Sequence, residues 1–328
     1  MLDGKTILIT GGTGSFGKRF VQIVLERYKP KKLIVFSRDE LKQFEMAQDY
    51  PPDKFDALRF FIGDVRDKER LYRACRGVDV IVHAAAMKHV PASEYNPTEA
   101  IKTNINGAQN LINVAADLGV EKVVALSTDK AVAPCNLYGA TKLASDKLFV
   151  AANGFAVGPT YSVVRYGNVL GSRGSVVPFF LKKREEGVLP ITDPRMTRFW
   201  ITLDEGIQMV LNAIEHAAGG EIFVPRIPSM KITDLAEAIA PGCRTEIVGI
   251  RPGEKLHECM IPAEDSRNVV ITETGYIILP ETGVFNYKGD ASVLRRVPEG
   301  FAYSSDTNDK WISVEELRTI LAQQGFTL

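Results

Sequence analysis

Tyr138 and Lys142 stand four residues apart in the run Tyr138-Gly139-Ala140-Thr141-Lys142. On a helix that spacing puts both side chains on one face. A phenol with a pKa of about 10 is a poor base at neutral pH, but a neighbouring ammonium favours the phenolate. Such a pair can take a proton from a hydroxyl as hydride leaves the same carbon. Just upstream, Leu126-Ser127-Thr128-Asp129-Lys130-Ala131 sets a hydroxyl, an acid and an amine side by side. Thr128 can hydrogen-bond the reacting hydroxyl, and Asp129 and Lys130 are an acid and a base at the same spot. To act as a base Lys130 must be partly neutral, which requires burial or a cationic neighbour.

A second cluster lies at the start of the chain, where Thr6–Thr10 runs into Gly11-Gly12-Thr13-Gly14-Ser15-Phe16-Gly17. Gly11, Gly14 and Gly17 form a G-x-x-G-x-x-G turn between a strand and a helix. Such a turn lets a pyrophosphate approach the backbone N–H groups of a helix N-terminus, so Gly11, Thr13, Gly14, Ser15, Phe16 and Gly17 are expected to bind a dinucleotide. The end of the next strand, Ser37-Arg38-Asp39 with Lys42 one turn on, chooses between dinucleotides. Ser37, Arg38 and Lys42 suit the 2′-phosphate of NADP. Asp39 is an acid near the place where an NAD site carries one, which keeps NAD open. Asp64 and Val65 are expected beside the adenine, and Ala84 and Ala85 are small enough to let the cofactor pass.

These residues need a frame that gathers them. Expected strands are Thr6–Thr10, Lys32–Ser37, Leu58–Ile62, Val78–His83, Lys122–Ser127 and Tyr161–Tyr166. Amphipathic stretches at Phe16–Tyr28, Asp67–Cys75, Pro97–Leu118 and Tyr138–Ala152 alternate with them. The alternation predicts an α/β fold with a doubly wound parallel Rossmann sheet, whose ligands bind at the carboxyl ends of the strands. Residues 1–167 form the dinucleotide-binding domain, with 201–224 packing back onto it. Residues 168–200 and 225–328 make a smaller interwoven domain that closes over a substrate.

Composition narrows the partners. In 328 residues, forty basic side chains balance forty acidic ones, and no polybasic run points to nucleic acid or a membrane surface. Apolar runs are strand length, well short of the roughly 20 residues of a spanning helix. The chain enters its first strand almost at Met1, so no signal peptide is expected, and Cys75, Cys135, Cys243 and Cys259 are scattered. Reduced thiols and a cytoplasmic location are expected. His83, His89, His216 and His257 lack metal-ligand spacing, so no metal is expected.

Thr128-Asp129-Lys130 and the Tyr138/Lys142 pair combine with Met87–Pro97, Arg165-Tyr166-Gly167-Asn168-Val169 and Arg251-Pro252-Gly253-Glu254-Lys255. Together they resemble the extended short-chain dehydrogenase/reductase family over nearly the whole chain. Within it they are similar to the C5-inverting UDP-N-acetylglucosamine 4,6-dehydratases of pseudaminic acid and capsule-sugar synthesis. Dehydratases that retain C5 carry Asp-Glu where this chain has Asp129-Lys130. The resemblance implies NADP as cofactor, a homo-oligomer (often a hexamer in the family), and Lys88 and Asn104 near the nicotinamide. It also implies a nucleotide-sugar held by Lys88, Asn168, Val176, Arg198, Arg251 and Glu254. In that reading Lys130 takes the C5 proton and Asp129 assists loss of water. A 4-epimerase or C5-retaining dehydratase is an alternative, as is a non-catalytic NADP sensor; an epimerase needs only Thr128, Tyr138 and Lys142.

Overall fold

The computed structural model describes residues 1–155, 158–171, 175–281, 289 and 294–327. Its first half repeats strand and helix. The elements are β1 (Thr6–Thr10), α1 (Ser15–Arg27), β2 (Lys32–Ser37), α2 (Glu40–Gln48), β3 (Leu58–Ile62), α3 (Lys68–Ala74), β4 (Val80–His83), α4 (Val90–Tyr95), α5 (Pro97–Ile101), α6 (Gly107–Leu118), β5 (Lys122–Thr128), α7 (Leu137–Phe155) and β6 (Thr160–Tyr166). β1 and β4 are buried along their whole length, as expected of parallel strands covered on both faces. The stretch expected as one helix over Pro97–Leu118 is interrupted by a π-helical turn at Lys102–Asn106. The inserted residue turns Asn104 inward, where its amide bonds the backbone of Met87 on both sides and the Thr141 hydroxyl.

The second half is short elements: β7 (Asn168–Val169), α8 (Val176–Arg184), β8 (Val188–Ile191), β9 (Thr197–Ile201), α9 (Leu203–His216), β10 (Ile222–Pro225), β11 (Ser229–Lys231), α10 (Ile232–Ile239), β12 (Arg244–Ile247), β13 (Cys259–Ile261), β14 (Val269–Ile271), β15 (Gly275–Ile278), β16 (Arg295–Arg296), β17 (Tyr303–Ser304) and α11 (Val314–Gln323). The main sheet has the order β16-β14-β15-β10-β6-β5-β4-β1-β2-β3. From β3 to β10 all pairings are parallel; β15, β14 and β16 add antiparallel strands at one edge. The C-terminal segment is therefore not confined to the smaller lobe. Val269, Val270 and Ile278 are buried on that edge, and joining the sheet removes their apolar surface from water.

Alternate strand residues feed two cores. Ile7, Ile9 and Val35 pack with α1 and α9 on one face, and Leu8, Ile34 and Phe36 with α3, α6 and α7 on the other. A third core, around Leu170, Phe180, Trp200, Leu235 and Leu317, belongs to the smaller lobe. Strand order reverses between β1 and β4, which opens the crevice where a doubly wound sheet receives a ligand.

Helix α9, which covers β5 and β6, starts with a reciprocal cap: Thr202 accepts from the Glu205 N–H at 3.2 Å, and the Glu205 carboxylate accepts from the Thr202 N–H at 2.9 Å. Thr202→Ala should cost about 1 kcal/mol of unfolding free energy. Urea denaturation of the two proteins checks this, and an unchanged midpoint would show that the cap does not anchor α9.

Candidate active site

A cleft of about 840 Å³ runs along the carboxyl ends of β1, β2, β4 and β5. Gly11, at φ +68°, sits so close to β4 that a Cβ there would meet the Ala85 nitrogen at 2.9 Å. This close approach seats the turn against Ala84 and Ala85 at the strand reversal. The N-cap of α1 is Gly14, so no side chain competes for the N–H groups of the first turn. With the helix dipole they suit a pyrophosphate. Thr13, Ser15, Phe16, Gly17, Asp64, Val65 and Lys88 also line the cleft, so the cradle fits a dinucleotide.

At the far end Ser37 shares a hydrogen bond with Thr13 at 2.9 Å. Asp39 caps α2 by accepting from the Lys42 N–H at 3.0 Å, and its second oxygen pairs with the Lys42 ammonium. Arg38 is largely exposed and lies 3.8 Å from Asp64. Asp39 is thus engaged by its own helix, whereas Arg38 can turn toward a ligand.

Asn104 does not line the cleft. It is 2% exposed and its amide is committed to Met87 and Thr141, so it ties the loop after β4 to α7.

The turn after β5 gathers the reactive groups. A Cβ on Gly139 would meet the Lys130 carbonyl at 2.2 Å, so only glycine lets α7 start this close to Asp129–Ala131. Thr128 donates to Asp129 Oδ1 at 3.0 Å and is hydrogen-bonded to Tyr138. Lys130 Nζ donates to Asp129 Oδ1 at 3.0 Å and to Asn168 Oδ1 at 3.1 Å, and lies 3.5 Å from Glu258. Asp129 is fully buried, and its Oδ2 has no hydrogen-bond partner.

The charge states differ from the sequence expectation in two ways. Burial does push the Lys130 ammonium toward neutrality, but the carboxylates of Asp129 and Glu258 outweigh it, and its pKa ends above the ordinary lysine value. Lys130 is an ammonium in this state. Burial also pushes the Tyr138 phenol up to about 12, and the ammonium that opposes this is Lys130 rather than Lys142. Lys142 is buried, donates to the Leu126 carbonyl at 2.7 Å, and has a pKa lowered by burial against the nearby Asp146.

A second cavity of about 580 Å³ opens toward the smaller lobe. Lys130, Asn168, Ser175, Val176 and Trp200 line both cavities, so Lys130 stands at their junction. Arg198, Arg251 and Glu254 line the second cavity. Arg198 is mostly committed to protein, since its guanidinium donates to the carbonyls of Thr197, Lys255 and Leu256. Arg251 is exposed, and Glu254 keeps a buried Oε2 without a hydrogen-bond partner.

Sequence reasoning missed Glu258, which is 2% exposed and faces Lys130. Its only signal was its position in the run that begins at Arg251. It also missed the Asp146–Arg165 ion pair, in which Asp146 accepts from Ser127 at 2.7 Å and Arg165 donates to the Met260 carbonyl at 3.0 Å. Among the described residues no three His, Cys, Asp or Glu side chains are grouped to hold a metal ion, and no helix is long and apolar enough to cross a membrane.

A family model described as polysaccharide biosynthesis protein matches residues 7–280. The inverting UDP-N-acetylglucosamine 4,6-dehydratase of Campylobacter jejuni subsp. jejuni is 57% identical, over 99% of this chain and 100% of that protein. The X-ray structure of Pen from Bacillus thuringiensis superposes with a TM-score of 0.90 at 36% identity, covering 100% of both chains. A double mutant of DesIV, a dTDP-glucose 4,6-dehydratase from Streptomyces venezuelae solved with NAD bound, has a TM-score of 0.68 at 28% identity, covering 76% of this chain and 86% of its own.

His83 gives the cleft a pH signature. Its ring is buried and hydrogen-bonded to Thr10 at 2.8 Å, and burial, aided by Lys142, pushes its pKa down to about 3 from 6.5. Below pH 6.5 the unfolded chain takes up a proton that the folded chain refuses, so this group's share of stability falls with pH until the folded value is reached. The loss should approach about 1.4 kcal/mol per pH unit. Urea unfolding of wild type and His83→Asn from about pH 7 to about pH 5 should show the wild-type advantage shrinking. A constant difference would refute it.

Proposed function

The chain belongs to the polysaccharide biosynthesis protein family, and on that premise we propose that it is a nucleotide-sugar 4,6-dehydratase that converts UDP-N-acetylglucosamine with inversion at C5. The observation that carries the reading is Lys130, which stands at the junction of the dinucleotide cleft and the second cavity with the buried Asp129 hydrogen-bonded behind it at 3.0 Å. An epimerase on this fold needs Thr128, Tyr138 and Lys142 but has no use for that pair.

When bound, the nicotinamide supplies the redox chemistry, taking hydride from C4 and returning it at C6. Thr128 and Tyr138 hold the C4 hydroxyl, and Tyr138 takes its proton once a cationic nicotinamide joins the Lys130 ammonium in offsetting the burial that raises the phenol's pKa. Lys142 is buried beside Tyr138 in the cleft wall. The resulting C4 ketone acidifies the C5 proton. The elimination then needs a neutral amine and a protonated carboxyl at once. Transfer of one proton from Lys130 Nζ to Asp129 Oδ1, along the 3.0 Å hydrogen bond, creates both. Lys130 then takes the C5 proton, and Asp129 gives its proton to the departing C6 hydroxyl, which leaves as water. The pair returns to its ionic form with protons balanced. Tyr138 releases the O4 proton to solvent, and one solvent proton adds to C5 on the opposite face, which balances the protons and gives inversion.

NADP is the proposed dinucleotide. Asp39 is spent on α2 and Lys42, Ser37 stands at the end of β2, and Arg38 is available for a 2′-phosphate. In the second cavity Arg251 suits the diphosphate, and the unpaired Glu254 oxygen suits a ribose hydroxyl. Asn168, Val176 and Lys88 complete the walls around the sugar.

Incubation with UDP-N-acetylglucosamine in deuterated water, followed by NMR and mass spectrometry, tests the reading. The expected product is a 4-keto-6-deoxy sugar with inverted, deuterated C5, and Lys130→Ala should abolish both dehydration and C5 exchange. A product of unchanged mass would mean epimerisation. Full dehydration by Lys130→Ala would remove Lys130 from the role of base.

The cofactor assignment has its own test. Arg38→Ala with Lys42→Ala should weaken NADP binding about tenfold to a hundredfold, the worth of one or two charge-assisted hydrogen bonds, and change NAD binding little. Calorimetric titration with each dinucleotide checks it, and equal losses for both would argue against a 2′-phosphate site.

A further inference from the structure

Lys130 faces two carboxylates, and the elimination uses only one of them. The other, Glu258, precedes β13 and is 2% exposed. Its Oε1 lies 3.5 Å from Lys130 Nζ and 3.9 Å from Arg198 Nε, and its Oε2 lies 3.9 Å from Lys255 Nζ without a hydrogen bond. The backbone that delivers it is fixed. The Glu258 N–H donates to Ser305 Oγ at 2.9 Å, and its carbonyl accepts from the Ser305 N–H at 2.8 Å and the Ser304 hydroxyl at 3.2 Å. Arg198 and Lys255 are already engaged by backbone carbonyls, Arg198 by three and Lys255 by Val132. The shortest of the Glu258 carboxylate contacts, 3.5 Å, goes to the reactive amine.

We infer that Glu258 is a positioning residue that holds the Lys130 amine between Asp129 and Asn168 and sets how readily that amine gives up its proton. The inference rests on the dehydratase reading above. Glu258 acts through Lys130 and needs no contact with the sugar. The charged and titratable groups facing Lys130 are Asp129 on its own turn, Glu258 ahead of β13, Arg198 from β9 and Tyr138 from α7. Lys255 faces Glu258 from the same segment. Removing the Glu258 charge leaves a single carboxylate against the ammonium, so Lys130 should discharge at lower pH. A merely structural role would cost stability or substrate affinity and leave that titration in place.

The test uses the full-length NADP-loaded enzyme as wild type, Glu258→Gln and Glu258→Asp. The Lys130 ε-methylene resonance, identified by its loss in Lys130→Arg, is titrated by NMR. Its midpoint should fall by about one unit or more in Glu258→Gln and recover toward wild type in Glu258→Asp. With UDP-N-acetylglucosamine, the limb of kcat that rises with pH should move to lower pH in Glu258→Gln. The maximal kcat should fall about tenfold or more, and KM should change by less than about threefold. An unmoved Lys130 titration overturns the inference, as does an unmoved kcat limb in an active variant. If Glu258→Gln does not fold, Glu258→Asp carries the test with a smaller shift of the same sign. Absence of turnover by the wild type brings down the dehydratase reading instead, and the Lys130 titration still decides whether Glu258 sets its charge.

Discussion

One partly buried ammonium ties the two halves of this molecule together. Lys130 leaves the end of β5 in the main sheet, yet its partners include Asn168, at the entry to the smaller lobe, and Glu258, from the segment that ends at β13. Burying charge is expensive unless each ion is paired and hydrogen-bonded. The chain meets the pairing half of that requirement with a cluster of two carboxylates and three cations (Asp129, Glu258, Lys130, Arg198 and Lys255) drawn from the β5 turn, β9 and the run that starts at Arg251, and leaves one oxygen of each carboxylate without a hydrogen bond. Each lobe supplies charges that the other must neutralise. The position of the smaller lobe over the sheet is therefore coupled to the protonation of the group that does the chemistry.

The dinucleotide cleft rests on a different constraint, the reversal of strand order between β1 and β4. Gly11 must approach Ala85 closely, and the loop after β4 must stay where Asn104 clamps it. The π-helical turn that aims Asn104 is a local departure from ideal helix geometry. Its amide also reaches Thr141, one residue from Lys142, so the same clamp fixes the cleft wall and the catalytic helix relative to each other.

Much of the sheet was legible because its strands are short β-branched runs between glycine turns. β1, β2 and β3 have the bounds their sequences suggest, and β4 to β6 differ by a residue or two at their ends. Helices of the smaller lobe were not. α10 is eight residues long and carries its apolar face on Ile232, Leu235, Ala236 and Ile239, too brief a period to stand out from flanking strands. α11 carries a signal that passed unread, Ser313 and Glu316 at capping-box spacing. At the site, local motifs marked Tyr138, Lys142, Asp129 and Lys130, because spacing along one helix or turn is visible in a sequence. What could not be read was which charge faces which. Lys142 looked like the partner of Tyr138 from spacing alone, and folding brings the Lys130 ammonium to bear on the phenol as well. Glu258, 128 positions from Lys130, had no spacing to betray it.

The proton count explains why such a costly cluster is kept. Oxidation and reduction at one carbon need a single proton relay, the role proposed for Thr128 and Tyr138. Loss of water across C5 and C6 needs a second base and a second acid that act together. A carboxylate alone gives one of these, and a free lysine, fully charged in water at neutral pH, gives neither. A buried Asp in contact with a partly buried Lys would give both after one internal proton transfer, and the pair would regenerate itself when the elimination is over. Burial keeps bulk water from levelling the pair, and the extra carboxylate keeps the resting amine charged and in place until the ketone forms. A fold that only epimerised its substrate would be spared the desolvation of Asp129 and Glu258, so their presence around the amine that lines both cavities argues for the elimination.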